Sequence, residues 1–472
     1  MLEELKGEVI QPPRQYLLNL KHLKPRFVNS GSTLVALNST WLGRVYGAYL
    51  KRFTFIHKRI TIPIFFPFLK AYTKYRSFYQ PPFRVNGRLI KNPWFSLVNM
   101  QVYVTSRNIS VLNLLDASSV AIIKPKVYPV TNEAEVSQPC DRYDFPSVYC
   151  FNLNNATVYG GSNLVYQLND VICHDLFNVD TDYTAEEIHG RIYIHQKRRA
   201  IRLIHVDVHT DQVLVAASFL DAASTNYAHW LTEVLPRIVA FCTLEQFSHI
   251  PIMIDAGLHE NILESLSMIV GSTREVITVP AGNAVSVGTL FVTSVAGYVP
   301  FMPREKGRDI GSHGMFSAVA LKLMRETIFN HVDSLPSKNF PRKIYLTRGK
   351  RYRSVSNEDS LKKCLANVGF ESIELASLTF RQQVALLRNA EIVIGPTGAG
   401  MANLLFSNRS QLVYILFGKN PATHYFYWTH IVSTLGIRLN HILGTQDEPL
   451  TSVHSSFWVD ETNLLEALKA RI

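Results

Sequence analysis

The chain has 472 residues, 47% of them hydrophobic, which is enough to bury ordinary cores in two or three domains. Its formal net charge of +11 suggests a nucleic-acid partner only until the charge is mapped: Val9 to Leu115 holds sixteen Lys and Arg and no Asp or Glu, and the remainder is mildly acidic. Five scattered cysteines without CxxC spacing imply neither a disulfide framework nor a zinc cluster.

Residues 1–115 form a basic, aromatic region. Lys51, Arg52, Lys58 and Arg59 stand beside Phe53, Phe55, Phe65, Phe66 and Phe68, the pairing expected of a segment that lies on an anionic lipid surface, so residues 40–77 are expected to touch one. Within residues 40–77 the longest uncharged run, Ile60 to Leu69, is half of the ~20 residues a membrane-spanning helix needs, and the longer runs on either side, Phe27 to Gly43 and Asn92 to Ser106, are broken by Asn, Ser and Thr. A basic face packed on the acidic remainder is the competing arrangement. The N-terminus MLEELKGEVIQPP lacks the charge and apolar run of a secretory signal, so a cytoplasmic protein, peripheral on the inner face of the membrane, is expected.

Residues 116–334 read as one α/β unit, in which VDVHTDQVLVAASFLD and HIPIMIDAG are strands flanking a helix from Tyr227 to Phe247. The strands EVITVP and TLFVTSV follow, then a helix from Ser312 to Phe329. Ser334 to Pro341, with two prolines, reads as a hinge. Residues 335–455 alternate strand and helix more regularly: KIYLT, a helix over Asn357 to Val368, ESIEL, a helix over Thr379 to Asn389, EIVIG, a helix start at Met401, QLVYILF, a helix near Trp428 and RLNHILG. Ser356 with Asp359, and Thr379 with Gln382, supply helix-starting pairs. Such alternation predicts a parallel, Rossmann-like sheet that binds ligands beyond the carboxyl ends of its strands. The last stretch, within 456–472, reads as an amphipathic helix packing back across the upstream unit.

Three clusters carry chemistry. In NYAHWLTEVLPRI, a spacing of four puts His229, Glu233 and Arg237 on one helix face, where an imidazole and a carboxylate offer a general base. A Glu233–Arg237 pair is the competing arrangement and would weaken the base by lowering the pKa of Glu233. Around the end of KIYLT, six cations between Arg342 and Arg353 offer bidentate partners to a diphosphate. In AEIVIGPTGAGMANLLF, Pro396 should end the strand, while Gly395, Gly398 and Gly400 allow φ > 0 and a close backbone approach at a helix start, which is an anion site.

Four motifs in order, NYAHWLTEVLPRI, YLTRGKRYRSVSNE, the Leu378 to Ala390 segment with Gln383, and GPTGAGMANLLF, resemble glycosyltransferase family 61 from about Asn226 to Leu435. That family includes plant xylosyl- and arabinofuranosyltransferases, animal O-linked N-acetylglucosaminyltransferases and bacterial surface-polysaccharide enzymes. The resemblance implies an α/β fold of the GT-B type, with two Rossmann-like domains facing a cleft, and inversion at the sugar. It implies Glu233, or His229 as second choice, as the base. It also implies Arg348, Arg353, Asn357, Glu358, Gln383, Thr397, Gly398, Ala399, Gly400 and Asn403 on the nucleotide-sugar side. Asn357 and Glu358 are expected to orient the arginine loop and cap its helix. Thr397 departs from the family, which usually has His there.

A UDP-linked nucleotide sugar and a glycan or lipid-linked acceptor are the expected partners, with no nucleic acid, no cofactor and no required metal. The expected setting is polysaccharide biosynthesis. Two alternatives stand beside this reading. A metal-dependent GT-A transferase would use Asp180 and Asp182 as its DxD pair. A membrane-associated scaffold that binds nucleotide without catalysis would leave Glu233 and the arginines to structural roles.

Overall fold

The computed structural model describes residues 83–85, 88–90 and 94–469, apart from 131–135, 137–139, 189–190, 204–206, 301, 305–313, 333–339, 350–352, 421–422, 424 and 448–454. The expected membrane-facing segment 40–77 and residues 334–339 of the expected hinge lie outside them. No helix among the described residues is long and apolar enough to cross a membrane.

The regular alternation after residue 340 produces a parallel sheet. Lys343–Thr347, Ile392–Pro396 and Leu412–Gly418 are short apolar runs, and burial on both faces suits them to central parallel strands. Their neighbours complete the order Glu371–Glu374, Lys343–Thr347, Ile392–Pro396, Leu412–Gly418 and Leu439–Gln446, all parallel. In chain order that is 2-1-3-4-5, a doubly wound arrangement that reverses direction between its first and third strands. The crevice at that switch lies beyond Thr347 and Pro396.

Local signals set most of the crossovers. Thr379 and Gln382 close the expected capping box ahead of helix Phe380–Asn389. Ser356 does not cap helix Glu358–Ala366, because its hydroxyl donates to Asp447 at 2.7 Å. Pro396 is the last residue of its strand, as expected, and still pairs with Leu416. Pairing with the first strand stops at Ile394, so the missing N–H of Pro396 removes no bond on that side.

The upstream unit differs from a Rossmann-like sheet. Four strands, Asn283–Thr293, Asp207–Ser218, Ile252–Asp255 and Val276–Val279, are parallel as the sequence implied. They occupy one half of an eleven-stranded mixed sheet whose other half, built from residues 94–203, pairs mostly antiparallel starting at Val148–Tyr159. The helix expected from Ser312 starts instead at Ala318, since Met315–Phe316 pairs as a short strand with Gly297–Tyr298.

Two segments cross the expected boundaries. Lys126–Tyr128 adds a parallel strand to the downstream sheet, beside Leu439–Gln446. Helix Glu461–Lys469 also joins that sheet and not the upstream unit: Leu464, Ala467 and Leu468 are buried with Tyr345, Tyr414 and Phe457, and Tyr414 donates to the carbonyl of Ala467 at 3.1 Å.

One apolar core runs through both units. Trp230, Leu231, Phe241, Phe316 and Leu321 from upstream share it with Phe380, Leu387, Phe406 and Ile431 from downstream. A buried polar knot lies at the same junction. The Tyr227 hydroxyl points at Asn403 Oδ1 (2.8 Å) and Gln383 Oε1 (3.1 Å), and Asn403 Nδ2 donates to Gln383 Oε1 at 2.9 Å. Gln383 Nε2 donates in turn to the carbonyls of Leu375 and Leu378.

Removing the Tyr227 hydroxyl leaves the buried Asn403 Oδ1 without that partner, at about 1–3 kcal/mol. Tyr227→Phe should therefore lower the urea unfolding midpoint by an amount equivalent to about 1–3 kcal/mol. An unchanged midpoint would show that the knot does not hold the units together.

Candidate active site

The helix carrying NYAHWLTEVLPRI is built in pieces. Asn226 caps its start, its side-chain oxygen accepting from the Ala228 N–H at 3.0 Å. After Tyr227–His229 the chain widens into a π turn over Trp230–Val234, then resumes as Leu235–Cys242. Pro236 sits just past the wide turn and has no N–H to return to the carbonyl of Thr232. Trp230 anchors the turn, fully buried, with its indole N–H donating to Ser265 at 2.9 Å.

This geometry decides how the titratable groups pair. His229 Nδ1 lies 2.5 Å from Glu233 Oε1, and the side chains are 20% and 12% exposed. Arg237 does not compete for that carboxylate. Its Nε donates to the Glu233 backbone carbonyl at 3.0 Å, and its Nη2 faces Asp221 at 3.4 Å. Burial pulls the His229 pKa down, but the adjacent Glu233 pulls it up further, and the net position is above the ordinary value.

His229, Glu233, Arg237 and Asp221 line one pocket, together with His174, Glu186 and Tyr298. Asp221 is fixed by Asp255, whose Oδ2 accepts from the Asp221 N–H at 2.9 Å; burial pushes the Asp255 pKa up to about 6. Tyr298 donates to Asp182 at 2.9 Å, and burial with that carboxylate raises its phenol pKa.

At the sheet's switch point, the Arg348 guanidinium donates to the carbonyl of Thr397. A Cβ at Gly398 would collide with that guanidinium. Close approach, and not φ > 0, thus explains Gly398: its φ of 166° is extended backbone, and neither Gly395 nor Gly400 has positive φ. The Thr397 hydroxyl accepts from the Trp428 indole at 2.9 Å, and its own proton is free to donate. Ala399 and Gly400 open the 3-10 helix Ala399–Phe406.

Glu358 steadies the arginine loop, accepting from the Arg348 N–H (3.4 Å) and the Tyr345 hydroxyl (3.3 Å). Asn357 stands at the N-cap position without a capping bond. Its carboxamide pairs instead with the backbone of Val459, at 2.9 and 3.0 Å. Arg353 has φ +59° and a buried Nε without a hydrogen-bond partner among the described residues, and burial lowers its pKa. Gln383 and Asn403 are 3% and 0% exposed, with their carboxamides engaged in the Tyr227 knot. The two halves approach through Tyr427, whose phenol pKa is raised by burial and by Glu233; its neighbour Trp428 holds Thr397 within the downstream unit.

The DxD carboxylates diverge. Asp180 pairs with Arg199 at 3.0 Å on the surface, while Asp182 is buried against Tyr298.

Residues 227–414, which hold both halves of this arrangement, match the family model described as Glycosyltransferase 61. Over that stretch the chain is similar to glycosyltransferase family 61. A stretch of 93 residues is 37% identical to the EGF domain-specific O-linked N-acetylglucosamine transferase of Drosophila melanogaster, covering 18% of this chain and 18% of that protein.

Beyond the stretch that matches family 61, sequence reasoning missed Trp428 and Tyr427, which lie on a helix, Tyr427–Ser433, without charge or motif. Outside it, Asp221 had a readable signal: it stands just past the carboxyl end of strand Asp207–Ser218, where such sheets place ligand contacts.

Because Glu233 raises the His229 pKa, the pair contributes stability that is full below the unfolded value of about 6.5 and is lost as pH rises through the folded value. An NMR titration of His229 should give a midpoint above about 6.5, and Glu233→Gln should lower it, since burial is then opposed only by the weaker pull of Asp221. A midpoint that does not move would rule out the coupling.

Proposed function

We propose that the protein is an inverting glycosyltransferase of GT-B type that moves a sugar from a UDP-linked donor to a hydroxyl of a glycan or lipid-linked acceptor. The observation that carries the reading is the His229–Glu233 contact, set across Tyr427 and Trp428 from the Arg348–Thr397–Gly398 corner. The family 61 match over both halves supports it. The printed name of the Drosophila relative makes UDP-N-acetylglucosamine the first donor to try.

In this mechanism the donor diphosphate lies over the switch-point crevice. Arg348, Arg353, the Thr397 hydroxyl and the N–H groups opening helix Ala399–Phe406 oppose the charge that grows on the leaving group. Gly398 lets Arg348 approach the loop, and Glu358 holds the arginine's backbone. Gln383 and Asn403 serve the site indirectly, by fixing the helix that bears His229.

The base is the coupled pair. With Glu233 accepting the Nδ1–H, Nε2 of His229 keeps its lone pair and takes the acceptor's proton as oxygen attacks the anomeric carbon. Glu233 then stabilises the imidazolium, as a carboxylate does in a Ser-His-Asp triad. Arginines and a helix N-terminus supply positive charge that a metal brings in other transferases, so activity should persist in EDTA. Loss of activity in EDTA, restored by Mn²⁺, would favour the metal-dependent alternative. In the same reading, residues 40–77 hold the protein on the cytoplasmic face of a membrane, in polysaccharide assembly.

Two measurements test the catalytic scheme. Glu233→Gln should reduce kcat by about 10²–10⁴-fold with UDP affinity unchanged, and His229→Ala added to it should cost little more, since the two act as one unit. Independent, multiplying losses would sink the coupled base. UDP should also raise the melting temperature of the wild type, and Arg348→Ala should abolish most of that rise. A nucleotide-binding scaffold would show the rise without turnover, which separates it from an enzyme.

A further inference from the structure

The pocket beside Glu233 continues into the upstream unit, away from the arginine corner, and its deeper wall has no role in the scheme above. It is lined there by His174, Tyr298, Glu186, Asp221, Asn163 and Phe177. Most of the polar groups in that wall are already oriented. Ser162 donates to Glu186 at 2.8 Å, while Asp221 accepts from its own loop and from Asn163 Nδ2 at 3.4 Å. His174 is the exception: it is 7% exposed, and its Nδ1 has no hydrogen-bond partner among the described residues. Burial lowers its pKa to about 4, so at neutral pH the ring is uncharged and offers one donor and one acceptor nitrogen. A buried polar atom without a partner is rare enough to call for an explanation.

The chemistry of the wall selects a class of ligand. Glu186, Asp221 and Glu233 outnumber Arg237, so the pocket repels a diphosphate and cannot be a second lobe of the donor site. The Tyr298 ring lies 4.6 Å from the His174 ring, with Phe177 beyond it, and gives the wall an apolar face between separated polar groups. A lone serine or threonine hydroxyl would meet one of those groups and leave the others dry. A pyranose has an apolar C–H face and several hydroxyls around its rim, and matches both features.

We infer that this pocket is an acceptor subsite for a neutral sugar residue, in which the orphan His174 nitrogen bonds a ring hydroxyl while Tyr298 carries the sugar's apolar face. The inference rests on the transferase reading, because Glu233 at the mouth is what makes the occupant an acceptor. It makes the natural acceptor a glycan and not an unmodified protein hydroxyl.

The test uses the full chain saturated with UDP. Saturation-transfer NMR is recorded with methyl α-mannopyranoside, methyl β-galactopyranoside, methyl β-xylopyranoside and N-acetyl-threonine amide as probes. At least one glycoside should bind and the threonine amide should not. His174→Leu should weaken that glycoside about tenfold or more, while His174→Gln, which keeps a hydrogen-bonding group, should stay within about threefold. Asn163→Ala, a milder change in the same wall, should weaken it too and keeps the test decisive if His174→Leu does not fold. Arg348→Ala should lose the UDP-induced rise in melting temperature and keep the glycoside. Binding of the threonine amide alone, binding of no glycoside, or glycoside affinity unchanged in His174→Leu and Asn163→Ala would each overturn the subsite. Absence of any UDP effect on the wild type would instead count against the transferase reading itself.

Discussion

The candidate site depends on one interrupted helix, Tyr227 to Cys242, wedged between two sheets. One end is tied to the downstream helices through the Tyr227 hydroxyl, and its middle is packed into the upstream helices through Trp230. Burying a phenol and two carboxamides in an apolar core is tolerable only if their polar groups are paired, and each pairing adds a directional constraint that apolar packing lacks. The wide π turn then takes up the mismatch between the two anchors. Glu233 sits in the turn and His229 directly before it, so their 2.5 Å contact is set by packing on both sides.

The charges follow a simple division. Upstream of the junction the pocket is rich in carboxylates, and Arg237 is fully engaged by Asp221 and a backbone carbonyl, which leaves Glu233 to its histidine. Downstream, Arg348 and Arg353 gather at the carboxyl ends of the parallel strands. Separate pools of carboxylate and guanidinium suit a reaction that frees a proton at one and negative charge at the other.

Much of the downstream unit was legible because its signals are local. Thr379 with Gln382, and apolar runs such as VYILF, each specify an element without reference to distant residues. What failed was non-local. Asn357 has the right type and place for a helix cap, yet the backbone of Val459, a hundred residues later, takes its carboxamide. Helix Glu461–Lys469 has one apolar face, and nothing in its pattern says which sheet that face meets. Gly398 was visible as a glycine that matters, but its reason was not: the limit is set by an arginine side chain fifty residues away and not by its own backbone angles. The His229–Glu233 pair was visible as helical spacing, whereas Arg237 lies at the same spacing and pairs elsewhere.

Lys126–Tyr128 carries a consequence for how the molecule can be divided. These three residues belong to the chain's first half, yet they flank Leu439–Gln446 as a parallel strand of the other sheet. A fragment cut at the hinge that the sequence suggests near residue 335 would keep every motif of the nucleotide side but leave the backbone of Asn440–Ile442 without its partner. A bare sheet edge recruits other chains. The two halves are therefore sewn together by a strand exchanged early for one made late, and the natural unit for expression, crystallisation or transplantation into another protein is the pair and not either half.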